Sequence, residues 1–193
     1  MKIIELIESE PTDRDEILKL IKKDCKPFLQ RIGNKISTYK LYRGMGFAEN
    51  KDTIVRKSVR LGDRRPMSTA QSKHDRYNKF FVTMFGEPFR NALFVSGDED
   101  MAKYYGEPYV IFPIGDFDWV WSTAINDIAM DIRWPDVNGW VNMPPDQITV
   151  DEKLGSLNYT INSNFIGAIK SGNEIMIRGK EYYATKIHVF KDL

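Results

Sequence analysis

Ser171-Gly172-Asn173-Glu174-Ile175-Met176-Ile177-Arg178-Gly179-Lys180 reads as a turn, one carboxylate, a short apolar strand and a hairpin. Gly-Asn is turn chemistry, and Ile-Met-Ile is a run suited to a buried strand. Glu174 stands where the turn hands over to the strand. Rigid backbone therefore holds it and aims it at whatever cleft the strand borders. Taken alone, Glu174 reads as a solvated edge charge. Two upstream stretches change its weight: Leu41-Tyr42-Arg43-Gly44 and Leu93-Phe94-Val95-Ser96-Gly97. Each is a β-favouring run that ends in a polar side chain followed by glycine.

Working outward, a helix capped by Asn162 or Ser163 runs through Ile169 to Ser171, with Gly172 just past its end. Beyond the hairpin, Tyr182–Phe190 forms the last strand. Tyr109–Ile114 is apolar throughout and reads as a central strand, with Phe117–Trp121 as a neighbour. Ile148–Val150 is a further strand, and 124–146, rich in Trp and Pro, is irregular. Asp98–Tyr105 is a short helix closed by Gly106. Ser68-Thr69-Ala70-Gln71 matches a capping box and opens a helix over about 68–85. Its apolar stripe is Tyr77, Phe80, Phe81 and Met84, and His74 falls on its surface. Residues 48–66 are polar and basic, an arm or lid, with a turn at Gly62-Asp63. Thr12 caps a helix over about 12–31, kinked near Pro27 and ended by Gly33-Asn34.

Composition excludes several classes. The chain has 193 residues, 42% of them hydrophobic, which fits one folded domain. A helical segment, 1–37, precedes a core over 38–193. Charge is balanced at 28 basic against 27 acidic residues, so net charge points neither to nucleic acid nor to a membrane surface. A nucleic-acid contact through Arg56, Lys57, Arg60, Arg64 and Arg65 stays open, although no aromatics interleave with them. Met1-Lys2-Ile3-Ile4-Glu5-Leu6 acquires an acid too early to read as a secretory signal, and no apolar run approaches membrane-spanning length. Cys25 alone cannot form an internal disulfide, which suits a reducing compartment, and it reads as an inert buried thiol. With only His74 and His188, no metal site is expected.

The order strand-Arg-Gly, strand-Ser-helix, turn-Glu-strand resembles the ADP-ribosyltransferases of the arginine–serine–glutamate class, the cholera-toxin-like group. Tyr42-Arg43-Gly44 is similar to the family's first motif. Phe94-Val95-Ser96-Gly97-Asp98, with Val110-Ile111-Phe112-Pro113-Ile114-Gly115 after it, resembles the serine strand, its helix and the next strand. Glu174-Ile175-Met176-Ile177 with Gly179 is similar to the glutamate strand. The pattern spans about residues 39–190. The middle stretch also resembles proteins of large tailed bacteriophages.

The resemblance implies an α+β fold in which two small sheets, flanked by helices, form an NAD cleft. It implies transfer of ADP-ribose from NAD to a macromolecular acceptor, a protein, in the cytoplasm, the host's if the gene is a phage's. Glu174 would stabilise the positive charge that develops on the ribose carbon while holding the ribose 2′-hydroxyl. Arg43 would clamp the NAD phosphates or order the cleft. Gly44 would offer its backbone to nicotinamide, and Ser96 would orient Glu174. Phe94, Tyr104 or Tyr105 would stack on the nicotinamide ring.

Two departures stand out. The family's Ser-Thr-Ser run is Val95-Ser96-Gly97 here. The second acid of arginine-modifying members, two residues before the catalytic one, is Gly172. Catalytically inactive binding of a partner protein is the alternative. Arg43 also reads as half of an ion pair, and Ser96 as the first residue of the capping box Ser96-Gly97-Asp98-Glu99. Oligomeric state is not legible.

Overall fold

The computed structural model describes residues 14–46, 54–62, 70–128 and 150–190. Thr12, Ser68, Thr69, Arg64, Arg65 and most of the irregular stretch lie outside the described residues. The fold is α+β, and its strands form two four-stranded antiparallel sheets.

The first helical stretch breaks in two. α1 (Arg14–Asp24) ends at Cys25, and α2 (Lys26–Arg31) takes Pro27 into its first turn. A proline lacks the N–H that an unbroken helix would need there. Gly33 and Asn34, at φ of 60° and 59°, stop the helix in left-handed conformation. The buried face of this pair is Ile17, Ile21, Cys25, Phe28, Leu29 and Ile32.

β1 (Leu41–Met45), β4 (Glu107–Ile114), β8 (Glu181–Lys186) and β2 (Val55–Ser58) form the first sheet, in that order. β4 is interior to it, as its apolar run predicts. β2 corrects the reading of 48–66 as an arm: residues 55–58 pair with β8, Val55 against Ala184. Its burial alternates along the strand, the signature of an edge strand with one wet face. Arg56 reaches across to Glu181, Nε to Oε1 at 3.0 Å.

The second sheet runs β3 (Leu93–Val95), β7 (Ile175–Arg178), β5 (Asp118–Trp121), β6 (Thr160–Ile161). β6 is too short to show in the sequence. The sheets meet at their edges. Tyr42 of β1 and Ser96, just past β3, exchange backbone bonds of 2.7 and 2.9 Å. The β7–β8 hairpin crosses from one sheet to the other.

Alternation along β7 sorts its side chains between two cores. Ile175 and Ile177 join β1, β4, β8, α1 and α2 in the first core, with Leu93, Val95, Trp119 and Trp121. Met176 and Val120 face the second core, beneath Tyr77 and Phe81 of α3 (Gln71–Phe85) and Phe89.

Several caps differ from the sequence reading. α3 is described from Gln71, with Ala70 as N-cap and no side-chain bond; the expected capping box at Ser68 and Thr69 lies outside the described residues. Asp98, not Ser96, caps α4 (Glu99–Lys103), accepting from Asp100 N at 2.8 Å. Asn164, not Asn162 or Ser163, caps α6 (Phe165–Ser171). Val150 opens a helix, α5 (Val150–Ser156), where a strand was expected. The last strand ends at Lys186, and Ile187–Phe190 turns into a 3-10 helix. His74 is buried, not on the surface. Its ring lies 2.9 Å from Asn91 Oδ1, and Asn91 Nδ2 donates to the Gly62 carbonyl at 2.9 Å, tying α3 to the loop before β3.

Cys25 is fully buried, and burial pushes its thiol up to about 12 from 9.0. The native protein should therefore resist thiol reagents and react stoichiometrically once unfolded in urea. Above pH 9.0 the unfolded chain loses this proton and the folded one keeps it. Stability should fall with rising pH in that window, and less so in Cys25→Ala.

Candidate active site

β3 and β7 pair in register: Leu93 with Ile177, Phe94 with Met176, Val95 with Ile175. Ser96 follows the end of β3 and Glu174 precedes the start of β7, at the same end of the pair. Arg90 ties Glu174 to the face of Phe94 and Met176. β1 is bonded to Ser96 through Tyr42, which brings Arg43 and Gly44 to the same strand ends. The three motifs, distant in the chain, thus converge on one corner where the sheets meet.

Glu174 is fixed by its backbone, its N–H donating to the Asn126 carbonyl at 2.7 Å. Its carboxylate is buried, with 10% of the side chain exposed, and pairs with Arg90, Nη1 to Oε1 at 2.8 Å. Arg90 is 6% exposed. Its guanidinium lies 4.3 Å from the Phe94 ring centroid and 5.8 Å from that of Tyr77. Arg90 Nε is buried without a hydrogen-bond partner among the described residues. A buried donor left unmade is costly, and such groups collect at functional sites.

Ser96 has its one hydroxyl proton committed. Oγ donates to the Gly172 carbonyl at 2.5 Å and accepts from Asp98 N at 2.9 Å. It therefore holds the turn that delivers Glu174, rather than donating to the carboxylate. Gly172 has a physical reason to be glycine. It ends α6 in left-handed conformation, φ 73°, where an L side chain is strained. An acid at this place would strain the end of the helix that positions Glu174.

Arg43 donates from Nη1 to the Phe94 carbonyl at 2.8 Å. No acid pairs with it among the described residues. Burial lowers its hold on the proton, partly offset by Tyr182. A guanidinium placed so suits an anionic ligand. Alternation along β1 turns Gly44's N–H and C=O the same way as Tyr42's, toward β3 and out of the β1–β4 ladder. The other side of Gly44 is filled, since a Cβ there would collide with the Ala102 carbonyl oxygen at the end of α4. Gly97 is packed likewise against the Ile169 carbonyl. Gly44→Ala and Gly97→Ala should each cost about 2–3 kcal/mol in urea unfolding, because backbone must yield. The loss should appear whether or not NAD is present.

Of the aromatic candidates, Phe94 lies inside the cluster beneath Arg90. Tyr104 is 75% exposed. Tyr105 is 46% exposed, and its hydroxyl donates to Asp127 Oδ2 at 2.6 Å. Burial, the bond to Asp127 and the charge of Glu174 keep its phenol protonated well above the usual tyrosine range, with Arg90 opposing. Tyr159 is raised by burial and by Glu174. Arg90, Asp127 and Tyr159 were not found in the sequence. Each is a single residue in a turn or an irregular stretch, with no pattern around it.

Two surface hollows lie apart from Glu174. One of about 360 Å³ sits on α1 and α2, between Leu18, Lys26 and Ile36. The other, about 330 Å³, is bordered by Tyr39, Lys40, Tyr42, Gly97 and Lys170. It is lined by Tyr42 and Gly97, the chain neighbours of Arg43 and Ser96. Among the described residues no group of His, Cys, Asp and Glu could hold a metal, and no helix is long and apolar enough to cross a membrane. Comparison with protein-family models, with curated proteins and with solved structures finds no match to this chain.

Proposed function

We propose that the chain is an NAD-dependent mono-ADP-ribosyltransferase that modifies a protein acceptor. The supporting observation is that Ser96, just past β3, is bonded to Tyr42 of β1 and to the Gly172 turn before Glu174, while Arg43 donates to the Phe94 carbonyl of β3, so the three motifs meet at one corner. NAD supplies the nicotinamide–ribose bond whose cleavage builds positive charge on the ribose carbon. Glu174, fixed by Asn126 and largely out of water, answers that charge as it grows. Arg43, a half-buried cation with no acid partner among the described residues, takes the phosphates. Gly44's outward N–H and C=O hold the nicotinamide amide. Ser96 braces the Gly172 turn, so Glu174 does not need to reorganise.

The fit requires one exchange. Arg90 occupies Glu174 Oε1, so the ribose hydroxyl must share or take that place. The same pair favours a second reading, a binding module of this fold that docks a protein and carries no catalysis. There the Arg90–Glu174 pair is simply structural.

The test is incubation with NAD labelled in the adenylate part, with and without cell lysate. The enzyme reading expects nicotinamide release, labelled protein and thermal stabilisation by NAD. No release and no thermal shift would transfer the case to the binding module. Binding of DNA or RNA through Arg56, Lys57 and Arg60 would instead show a steep loss with salt.

A further inference from the structure

Asp127 follows Asn126, the residue whose carbonyl accepts the Glu174 N–H at 2.7 Å. It is 4% exposed, a second buried carboxylate beside the first. Its Oδ2 accepts from the Tyr105 hydroxyl at 2.6 Å. Tyr105 itself is 46% exposed, and its backbone packs against Gly44 of β1. The Tyr105 side chain therefore spans from the Arg-Gly strand to the acid beside Glu174, with much of its ring in solvent. Glu174 and Asp127 both raise the Tyr105 and Tyr159 phenols, and Arg90 opposes them in both. These groups share one electrostatic neighbourhood, with Tyr77 and Lys73 of α3 behind Arg90.

We propose that Tyr105 and Asp127 are the proton relay that deprotonates the acceptor. This rests on the ADP-ribosyl transfer reading. Transfer to a hydroxyl, amide or guanidinium needs a sink for one proton. Glu174 is unsuited to that task, because its charge is required at the ribose carbon and Arg90 already holds it. Gly172 is unable to provide a sink, for the conformational reason given above. Asp127 carries the carboxylate, and Tyr105 brings a hydroxyl from it to the surface.

The step balances. The acceptor's lone pair forms a bond to the ribose carbon as the bond from that carbon to the nicotinamide nitrogen breaks. The breaking bond's electron pair stays on the nitrogen and cancels its positive charge. The acceptor's proton passes to Tyr105 Oη while the Tyr105 proton passes to Asp127. Asp127 later gives that proton to water, so each turnover yields modified acceptor, nicotinamide and one proton. The acceptor class implied is a protein side chain bearing a neutral or weakly acidic N–H or O–H at the Tyr105 surface. Such a nucleophile needs a base, whereas a carboxylate would not.

The experiment measures two rates with adenylate-labelled NAD and lysate: nicotinamide release and label transferred to protein. Tyr105→Phe removes one oxygen from a half-exposed ring and should fold normally. Both Tyr105→Phe and Asp127→Asn should lower transfer per nicotinamide released by at least ~100-fold, the lower end of the usual range for general base catalysis. In Asp127→Ala, added formate should restore transfer, which a merely structural aspartate would not allow. An unchanged ratio in Tyr105→Phe and Asp127→Asn, or no rescue by formate, overturns the relay and leaves the transferase reading standing. If the wild type releases no nicotinamide, the transferase reading fails and the relay with it.

Discussion

Glu174→Gln should reduce nicotinamide release from NAD by at least ~100-fold while the protein stays folded, because one preorganised charge in a dry site supplies this much. The substitution keeps the shape and one carbonyl oxygen. Arg90 Nη1 can still donate to it across the 2.8 Å seen in the native pair. The loss is therefore charge, not geometry. Stability should drop by about 1–3 kcal/mol, since Arg90 keeps a hydrogen bond and loses an ionised partner. Release kinetics and urea unfolding on the same preparation separate the two effects. Near-native release by a folded Glu174→Gln would remove Glu174 from the chemistry. A collapse of folding would move the question to Arg90.

How much of this was legible in the chain depends on the source of each signal. β4 announced itself because a strand buried on both faces is apolar at every position, and Tyr109–Ile114 is. β7 and its hairpin were readable for the same reason. β2 was missed because Val-Arg-Lys-Ser alternates on a wet edge, where charge hides the strand period. The buried place of His74 depends on Asn78, one turn along the same helix, and on Asn91, which comes from outside the helix and leaves no mark on its pattern.

The site shows the same division. Ser96 and Glu174 flank strand ends and are visible by position; Arg43, expected to close its strand, sits mid-strand, because β1 runs on through Gly44 to Met45. Arg90 and Asp127 arrive from a 3-10 turn and an irregular segment, where spacing carries no information. The role of Ser96 was half legible. The capping pattern around it is real, but it belongs to Asp98, and the serine's proton goes to Gly172. Gly172 was legible as the residue just past the helix end, and it closes α6 in left-handed conformation at φ 73°.

Arg90→Met should destabilise the protein by about 3–5 kcal/mol, the cost of leaving a buried acid without its counterion. Glu174 has 10% of its side chain in water, too little to solvate the charge. The guanidinium also lies on Phe94 and touches Met176 Sδ at 3.7 Å, so its stem and plane pack as well as pair. Methionine replaces much of that packing, which isolates the charge. The double variant Arg90→Met, Glu174→Met should recover most of the loss, since an apolar pair in such a place is often as stable as the ionic one. Urea unfolding of the four proteins gives the coupling directly; simple additivity would mean that the pair contributes nothing. Repeating the cycle with saturating NAD decides between the two readings of the site. A transferase must take Glu174 partly from Arg90 to hold the ribose, so the coupling should shrink when NAD is bound. A binding module leaves the pair intact, and its coupling should not change.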